Sequence, residues 1–361
     1  MEKYRVGIVG ATGMVGQRFI SLLKDHPWFE VNCVAASARS AGKTYREAVG
    51  ERWAFAWEIP EKVAGMTVVD AADIDEVSKH VDFVFCAVDM KKDEIRALEE
   101  AYAKHEIPVV SNNSACRGIE DVPMVVPEIN ADHLAVIEAQ KKRLGTKNGF
   151  IAVKPNCSIQ SYVPALTPLL DFEPEKVSVC TYQAISGAGK TFKTWPEMVD
   201  NVIPYIGGED EKSENEPLKL WGHVEDGKIV NATLPVISAQ CLRVACSDGH
   251  MAAVSVSFKK KPTIEQIKER WANYETEAQR LELPSAPKPF LQYFEDPSRP
   301  QPRLDRDFQN GFGVSIGRLR EDKLFDYRFV CLSHNTVRGA AGGGILTAEL
   351  LCRKGYIPHR V

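Results

Sequence analysis

Short apolar runs alternate with helix-spaced patterns through the first part of the chain. "YRVGIVG" is strand-like and turns at Gly10, and "MVGQRFISLLKDH" then carries apolar residues at helical intervals. The runs "EVNCVAAS", "MTVVD", "VDFVFCAV", "PVVSNN" and "FIAVKP" repeat the strand signal, with helical stretches such as "KKDEIRALEEAYAKH" between several of them. Strand and helix in alternation predict a parallel, doubly wound α/β sheet. From about residue 176 the rhythm changes. "KVSVCTYQAIS" and "MAAVSVSFKKK" read as long strands, and "GFGVSIGRLR" and "FDYRFVCLSH" follow with little helix between them. This half is expected to be α+β, a mixed or antiparallel sheet backed by helices. "GGEDEKSENEPLK" and "EDPSRPQPRLDRDFQNG" are polar and turn-rich, and are predicted to be loops over that sheet. The last segment, "RGAAGGGILTAELLCRK", reads as a small-residue loop opening a helix that returns to the first domain. The expected division is a first domain over 1–154, completed by 338–361, and a second over 155–337.

Composition changes this picture only by exclusion. With 361 residues, two domains are the natural division. A net charge of −4 supplies no basic stripe, which argues against nucleic acid as a partner. No run reaches the length of a membrane span, and no uninterrupted apolar leader opens the chain, so a cytoplasmic protein without membrane partners is expected. None of the nine cysteines stands in a C-x-x-C pair. The nearest two, Cys241 and Cys246, have no second pair downstream, so no metal site is expected. Reduced thiols are the expectation, most of them small core residues, Cys86 among them.

Between the first strand and helix, "GATGMVG" places glycines at 10, 13 and 16. In such a turn the first glycine permits the bend, the second lets backbone approach a pyrophosphate, and the third lets helix and strand pack closely. A Rossmann-type dinucleotide site follows, with Gly10, Thr12, Gly13, Met14 and Val15 around the phosphates. The second strand ends in "ASARSAGK", with Ser37, Arg39, Ser40 and Lys43 and no acid for a ribose hydroxyl. A carboxylate there would repel a 2′-phosphate and a guanidinium would bind it, so NADP is the expected cofactor.

"KPNCSIQSY" poses the chemical question. Cys157 follows a strand and precedes a run that begins like a helix, where unsatisfied N–H groups would favour thiolate over thiol. That is how a nucleophile is prepared. On spacing alone a buried small residue remains an equal reading.

The chain resembles the aspartate-β-semialdehyde dehydrogenases of the archaeal and fungal branch. The likeness is carried in order by "GATGMVGQ", "SARSAGK", "DVPMVVPEIN", "KPNCS", "TYQAISGAGK", "PYIGGEDEK", "PQPRLDRD" and "NTVRGAAGG". It implies a second domain that both catalyses and dimerises, so a homodimer or homotetramer is expected. It implies Cys157 as nucleophile, Gln183 orienting the intermediate, and His250 as general acid and base. It further implies Arg243 on the substrate carboxylate, Glu209 on its amine, and Lys212 and Arg117 on phosphate, with Asn156 of the same turn also binding substrate. Ser186 and Gly187 are implied near the cofactor phosphates and Asn335 beside the nicotinamide.

The implied reaction is NADPH-dependent, reversible reductive dephosphorylation of L-aspartyl-4-phosphate to the semialdehyde through a Cys157 thioester, on the route to lysine, threonine and methionine. A thiolate both attacks and leaves readily, and an imidazole exchanges protons near neutral pH. Two other readings stand beside it. A malonyl-CoA reductase would keep the Cys/His chemistry and change the acyl carrier, although its substrate has no amine for Glu209. An inactive NADP-binding scaffold or sensor would have lost some of Cys157, Gln183, Arg243 and His250, and all four are present.

Overall fold

The structure is a computed structural model and describes residues 2–359. Six strands form the first sheet: β1 (Tyr4–Val9), β2 (Phe29–Ala36), β3 (Val69–Asp70), β4 (Phe83–Cys86), β5 (Val109–Ser111) and β6 (Ile151–Val153). Their order is β3-β2-β1-β4-β5-β6 and every pairing is parallel. The direction of winding reverses between β1 and β4, where an open sheet of this kind leaves a crevice for ligand. Alternate residues serve opposite faces: Val84, Cys86 and Ile151 join one core cluster, Phe83, Phe85 and Ala152 the other. Helix Met14–Leu23 buries Phe19, Ile20 and Leu23, and helix Lys92–Lys104 buries Ile95, Tyr102 and Ala103. The predicted strand "MTVVD" shrinks to two residues, because the Val68 amide and carbonyl pair with the loop at Lys43 and Gly42 instead of with β2.

The second sheet is mixed. Its strands are β7 (Pro174–Gln183), β8 (Val202–Ile203), β11 (Val236–Val244), β12 (His250–Phe258), β13 (Leu291–Phe294), β14 (Val314–Glu321) and β15 (Tyr327–Ser333). A separate hairpin holds β9 (His223–Glu225) and β10 (Lys228–Val230). The order is β13-β14-β15-β12-β7-β11-β8, with β7/β11 and β13/β14 parallel and the other pairs antiparallel. One face is dry, formed by Val177, Val179, Val254 and Val256 and covered by Trp271 of helix Ile264–Ala272. The opposite face leaves Tyr182, Val202 and Val236 exposed.

Two expectations are corrected. "EDEKSENEPLKL" is a twelve-residue helix, Glu209–Leu220, and not a loop; it reads as a loop because its buried side carries Glu209, Ser213 and Lys219. The closing helix spans Gly342–Arg353, preceded by a tight turn over Val337–Ala341, so it is shorter than 338–361. It packs Ile345, Leu346, Leu350 and Leu351 into the core of the first sheet. Residues 1, 360 and 361, which fall within the expected first domain, lie outside the described residues. Among the described residues no helix is long and apolar enough to cross a membrane.

Candidate active site

Lys154, Pro155 and Asn156 carry the chain from β6 to Cys157. The expected helix is not continuous. Cys157 opens a three-residue 3-10 turn, Ser158–Gln160, followed by a four-residue helix, Val163–Leu166, and a further 3-10 stretch, Thr167–Phe172. Pro164 and Pro168 explain the breaks, since neither offers an amide to the helical ladder. So short a turn brings little dipole to the thiol. Burial pushes the Cys157 thiol up and Glu209 adds to this, while Lys154, Arg117 and Arg243 pull the other way without reversing it. The site therefore does not lower the thiol's pKa in the way expected of a helix start.

Strand ends bring the partners to that sulfur. Gln183 ends β7, Arg243 faces it in register on parallel β11, and His250 starts β12 on the antiparallel side. His250 Nε2 lies 3.5 Å from Cys157 Sγ, and its Nδ1 accepts the Ala184 amide at 3.0 Å. A ring whose Nδ1 is an acceptor carries its proton on Nε2, here facing the sulfur. Burial, then the charges of Arg243, His334 and Lys154, hold the imidazole well below its ordinary pKa, so it is neutral. Arg243 Nη1 donates to the Ala184 carbonyl at 2.8 Å. Gly187 leaves these side chains room: a Cβ there would stand 2.8 Å from Arg243 Nη1 and 3.0 Å from His250 Nε2, so one of them would have to shift.

Helix Glu209–Leu220 delivers charge from the other side. The Glu209 carboxylate accepts from Asn156 Nδ2 (2.9 and 3.1 Å), Lys212 Nζ (2.8 Å) and Gln183 Nε2 (3.2 Å). Burial raises its pKa, but the Lys212, Gln183 and Asn156 donors outweigh burial and leave it low. Glu216, one turn below Lys212, was missed by the sequence reading. It accepts from Arg117 Nη1 at 2.9 Å and from the Asn156 amide at 2.5 Å, tying two expected substrate-binding residues together. Lys219, further along, donates to the carbonyls of Arg117, Ile119 and Val122 and fixes the loop that bears Arg117. A signal for these residues existed: the polar positions 209, 212, 213 and 216 recur at helical spacing.

A cavity of roughly 190 Å³ joins thiol and glycine turn, lined by Val15, Asn112, Arg117, Lys154, Asn156, Cys157 and Asn335. Ser186 and Gly187 also line it. Both ends of the Asn335 amide are engaged by protein, Nδ2 donating to Ser186 Oγ and Oδ1 accepting the Gly249 amide, each at 2.8 Å. The C-terminal turn closes the cavity, and a Cβ on Gly339 would meet Cys157 Cβ at 2.8 Å. Asn112 and Lys154 are further residues the sequence reading did not assign. Around the glycine turn, Gly10 has φ +91° and a Cβ there would lie 2.4 Å from the Ala87 carbonyl oxygen. Gly16 packs so closely that its Cβ would be 2.3 Å from Gly10 O. Gly13 donates to Gly10, the Thr12 carbonyl accepts from Gln17, and Met14 starts the helix. The Gly10 and Ala11 amides both donate to Ala35 of β2, two residues before the turn that holds Ser37, Arg39 and Ser40. That turn is continuous with the glycine loop but is not part of the thiol cavity. Among the described residues no group of His, Cys, Asp and Glu side chains is arranged to hold a metal.

Residues 5–137 match a family described as semialdehyde dehydrogenase, NAD binding domain, and residues 166–338 its dimerisation domain. The chain is 44% identical to the aspartate-semialdehyde dehydrogenase of Aspergillus fumigatus, covering 98% of this chain and 99% of that one. It is 43% identical to that of Archaeoglobus fulgidus over 98% of this chain and all of the other. The fold superposes on the crystal structure of aspartate semialdehyde dehydrogenase with NADP from Candida albicans with a TM-score of 0.88, at 39% identity and covering 99% of this chain and 100% of that chain.

Proposed function

The chain belongs to the aspartate-semialdehyde dehydrogenase family, and from that premise we propose how its site works. It interconverts L-aspartyl-4-phosphate and L-aspartate-4-semialdehyde with NADP(H), a step in the synthesis of lysine, threonine and methionine. The observation that carries the site assignment is the Cys157–His250 pair at 3.5 Å in a cavity that Val15 of the glycine turn also lines. Nucleophile and cofactor turn share one space.

Cys157 is the acylated residue. His250, with Nε2 3.5 Å from the sulfur, is the acid and base of the site, placed to exchange protons with the thiol and with the acyl oxygen beside it. Gln183 orients the acyl group, Arg243 holds the α-carboxylate, and the low pKa of Glu209 keeps it anionic for the substrate ammonium. Arg117 and Lys212 take the phosphate, and Asn156 links both groups. The glycine turn fits a dinucleotide, since glycine at 10 and 16 lets the turn pack directly on Ala87 and the helix on the turn, and exposed Arg39 has no ion pair among the described residues that would compete with a 2′-phosphate. NADPH supplies the hydride when bound. The malonyl-CoA alternative is disfavoured by Glu209, which would face no amine there.

We read residues 1–154, with the C-terminal segment from 338, as the cofactor domain and 155–337 as the catalytic and dimerisation domain. The exposed face bearing Tyr182, Val202 and Val236 supports a homodimer built through the second sheet, alone or paired into a homotetramer. Nine free cysteines suit a cytoplasmic location. The test is NADPH formation from aspartate semialdehyde, NADP and phosphate. Phosphate dependence that disappears in Cys157→Ala supports the reading; activity only with malonyl-CoA and NADPH overturns the substrate assignment.

A further inference from the structure

The stretches "DVPMVVPEIN" and "NTVRGAAGG" meet at a buried contact that the chemistry above leaves unused. Glu128 of the first and Arg338 of the second pair with side chains 0% and 1% exposed. Arg338 Nη1 and Nη2 both donate to the Glu128 carboxylate, the latter at 2.7 Å. Its Nε donates to Gln160 Oε1 at 3.2 Å, and its guanidinium lies over the Phe290 ring, 4.7 Å from the centroid. One cation thus joins segments far apart in the chain.

Three of these segments bear on the nucleophile. Gln160 ends the short turn that Cys157 opens. Glu128 belongs to a loop strapped to β6: the Val125 amide donates to the Val153 carbonyl at 2.8 Å, and the Val153 amide to that of Pro123 at 2.9 Å. Asn130 closes the loop, accepting from the Val126 amide at 2.9 Å and donating to the Met124 carbonyl at 2.8 Å. β6 in turn leads to Cys157. Arg338 itself precedes Gly339, where a Cβ would stand 2.8 Å from Cys157 Cβ and 3.2 Å from its Cα. Thr336, Gly339 and Ala340 of that turn line the thiol cavity.

A buried ion pair is a weak source of stability, since well-packed apolar groups of similar volume often hold a fold as well. What it supplies is orientation: a planar fork bound through all three nitrogens fixes both direction and distance. The separation of His250 Nε2 from Cys157 Sγ, 3.5 Å, is one that a small slide of the turn would lose. We propose that Arg338 is a positioning residue for the nucleophile, a role that rests on Cys157 being that nucleophile. Through Gln160 and Glu128 it sets the Cys157 sulfur against His250 and holds the Gly339 wall closed behind it.

Two variants cut the link at opposite ends. Arg338→Lys keeps a cation for Glu128 but cannot reach Gln160 at the same time. Gln160→Met leaves the ion pair whole and removes the other acceptor. The readouts are kcat and KM for NADPH formation from semialdehyde, NADP and phosphate, and the burst of p-nitrophenolate as p-nitrophenyl acetate acylates Cys157, confirmed by mass on its peptide. All are taken per folded molecule. Each variant should lower kcat and the burst rate roughly 10²-fold while KM for semialdehyde and NADP stays near the parent's. The two changes combined should cost no more than either alone, because both break one link. A third protein, Glu128→Leu with Arg338→Met, replaces the pair by apolar groups; its unfolding midpoint should return toward the parent's while its rate stays low.

Parent rates in Gln160→Met would overturn the proposal. So would losses that multiply in the combined variant, a raised KM with kcat intact, or a rate that recovers together with stability in the apolar pair. The ester probe needs neither cofactor nor phosphate. An Arg338-dependent burst on Cys157 without NADPH formation from semialdehyde would therefore refute the substrate reading and leave this one standing.

Discussion

Two helices of nearly equal length bury a glutamate, and the two carboxylates titrate in opposite directions. In helix Lys92–Lys104, Glu99 sits among Ser111, Asn113, Cys86 and Cys116; burial raises its pKa and those neutral donors do not recover the difference. In helix Glu209–Leu220, the carboxylate of Glu209 meets Lys212 in addition to neutral amides, and its pKa falls despite burial. One cation decides the sign. The first helix turns Ile95, Tyr102 and Ala103 inward beside its glutamate and so contributes a core face. The second turns in mainly polar groups and contributes a charge held ready for a ligand.

Three perturbations break or sharpen this contrast. The largest effect is expected from Glu216→Ala, which leaves Arg117 buried and unpaired and removes the acceptor for the Asn156 amide. Removing one partner of a buried ion pair costs about 3–5 kcal/mol, which urea unfolding at pH 7.5 would register together with a fall in kcat/KM; a loss under about 1 kcal/mol would mean that the pair behaves as a surface contact. Lys212→Met is expected to turn Glu209 into a second Glu99. Its pKa should rise, and stability should fall by about 2–3 kcal/mol at pH 8. The unaltered protein gains stability from Glu209 above the unfolded carboxylate pKa and loses it as pH falls through the lower folded value. In the variant the slope reverses, with stability recovered on acidification; the measurement is unfolding midpoint against pH. The smallest effect belongs to Glu99→Gln. A raised carboxylate pKa gives stability that is complete below the unfolded pKa and lost as pH rises through the folded one. The glutamine variant should lack that decline and equal or exceed the parent by up to about 1 kcal/mol at pH 8. A variant less stable than its parent at pH 8 would show that the Glu99 charge is favourably held.

The same contrast explains what was legible in the sequence. Helix Met14–Leu23 announces itself by apolar residues at helical spacing, and the strands of the first sheet by short continuous apolar runs, buried on both faces. The mixed sheet was readable too, since β12 alternates along its whole length. Helix Glu209–Leu220 was hidden because its inward face is charged, so the rule that locates buried faces pointed outward. For the site, motif likeness brought Cys157, His250, Gln183 and Arg243 forward, and the strand ends gather them. Glu216 escaped notice because its role depends on a neighbour from a distant segment, Arg117. The continuous helix expected after Cys157 failed on a local signal that was visible all along, Pro164 and Pro168.

The contact between Gly339 and Cys157 has a consequence in time. A ribosome makes residue 157 long before residue 339, and during that interval the sulfur lacks the turn that closes its cavity and the helix that completes the first core. A chain cut short of Gly339 therefore lacks the wall that lies against Cys157.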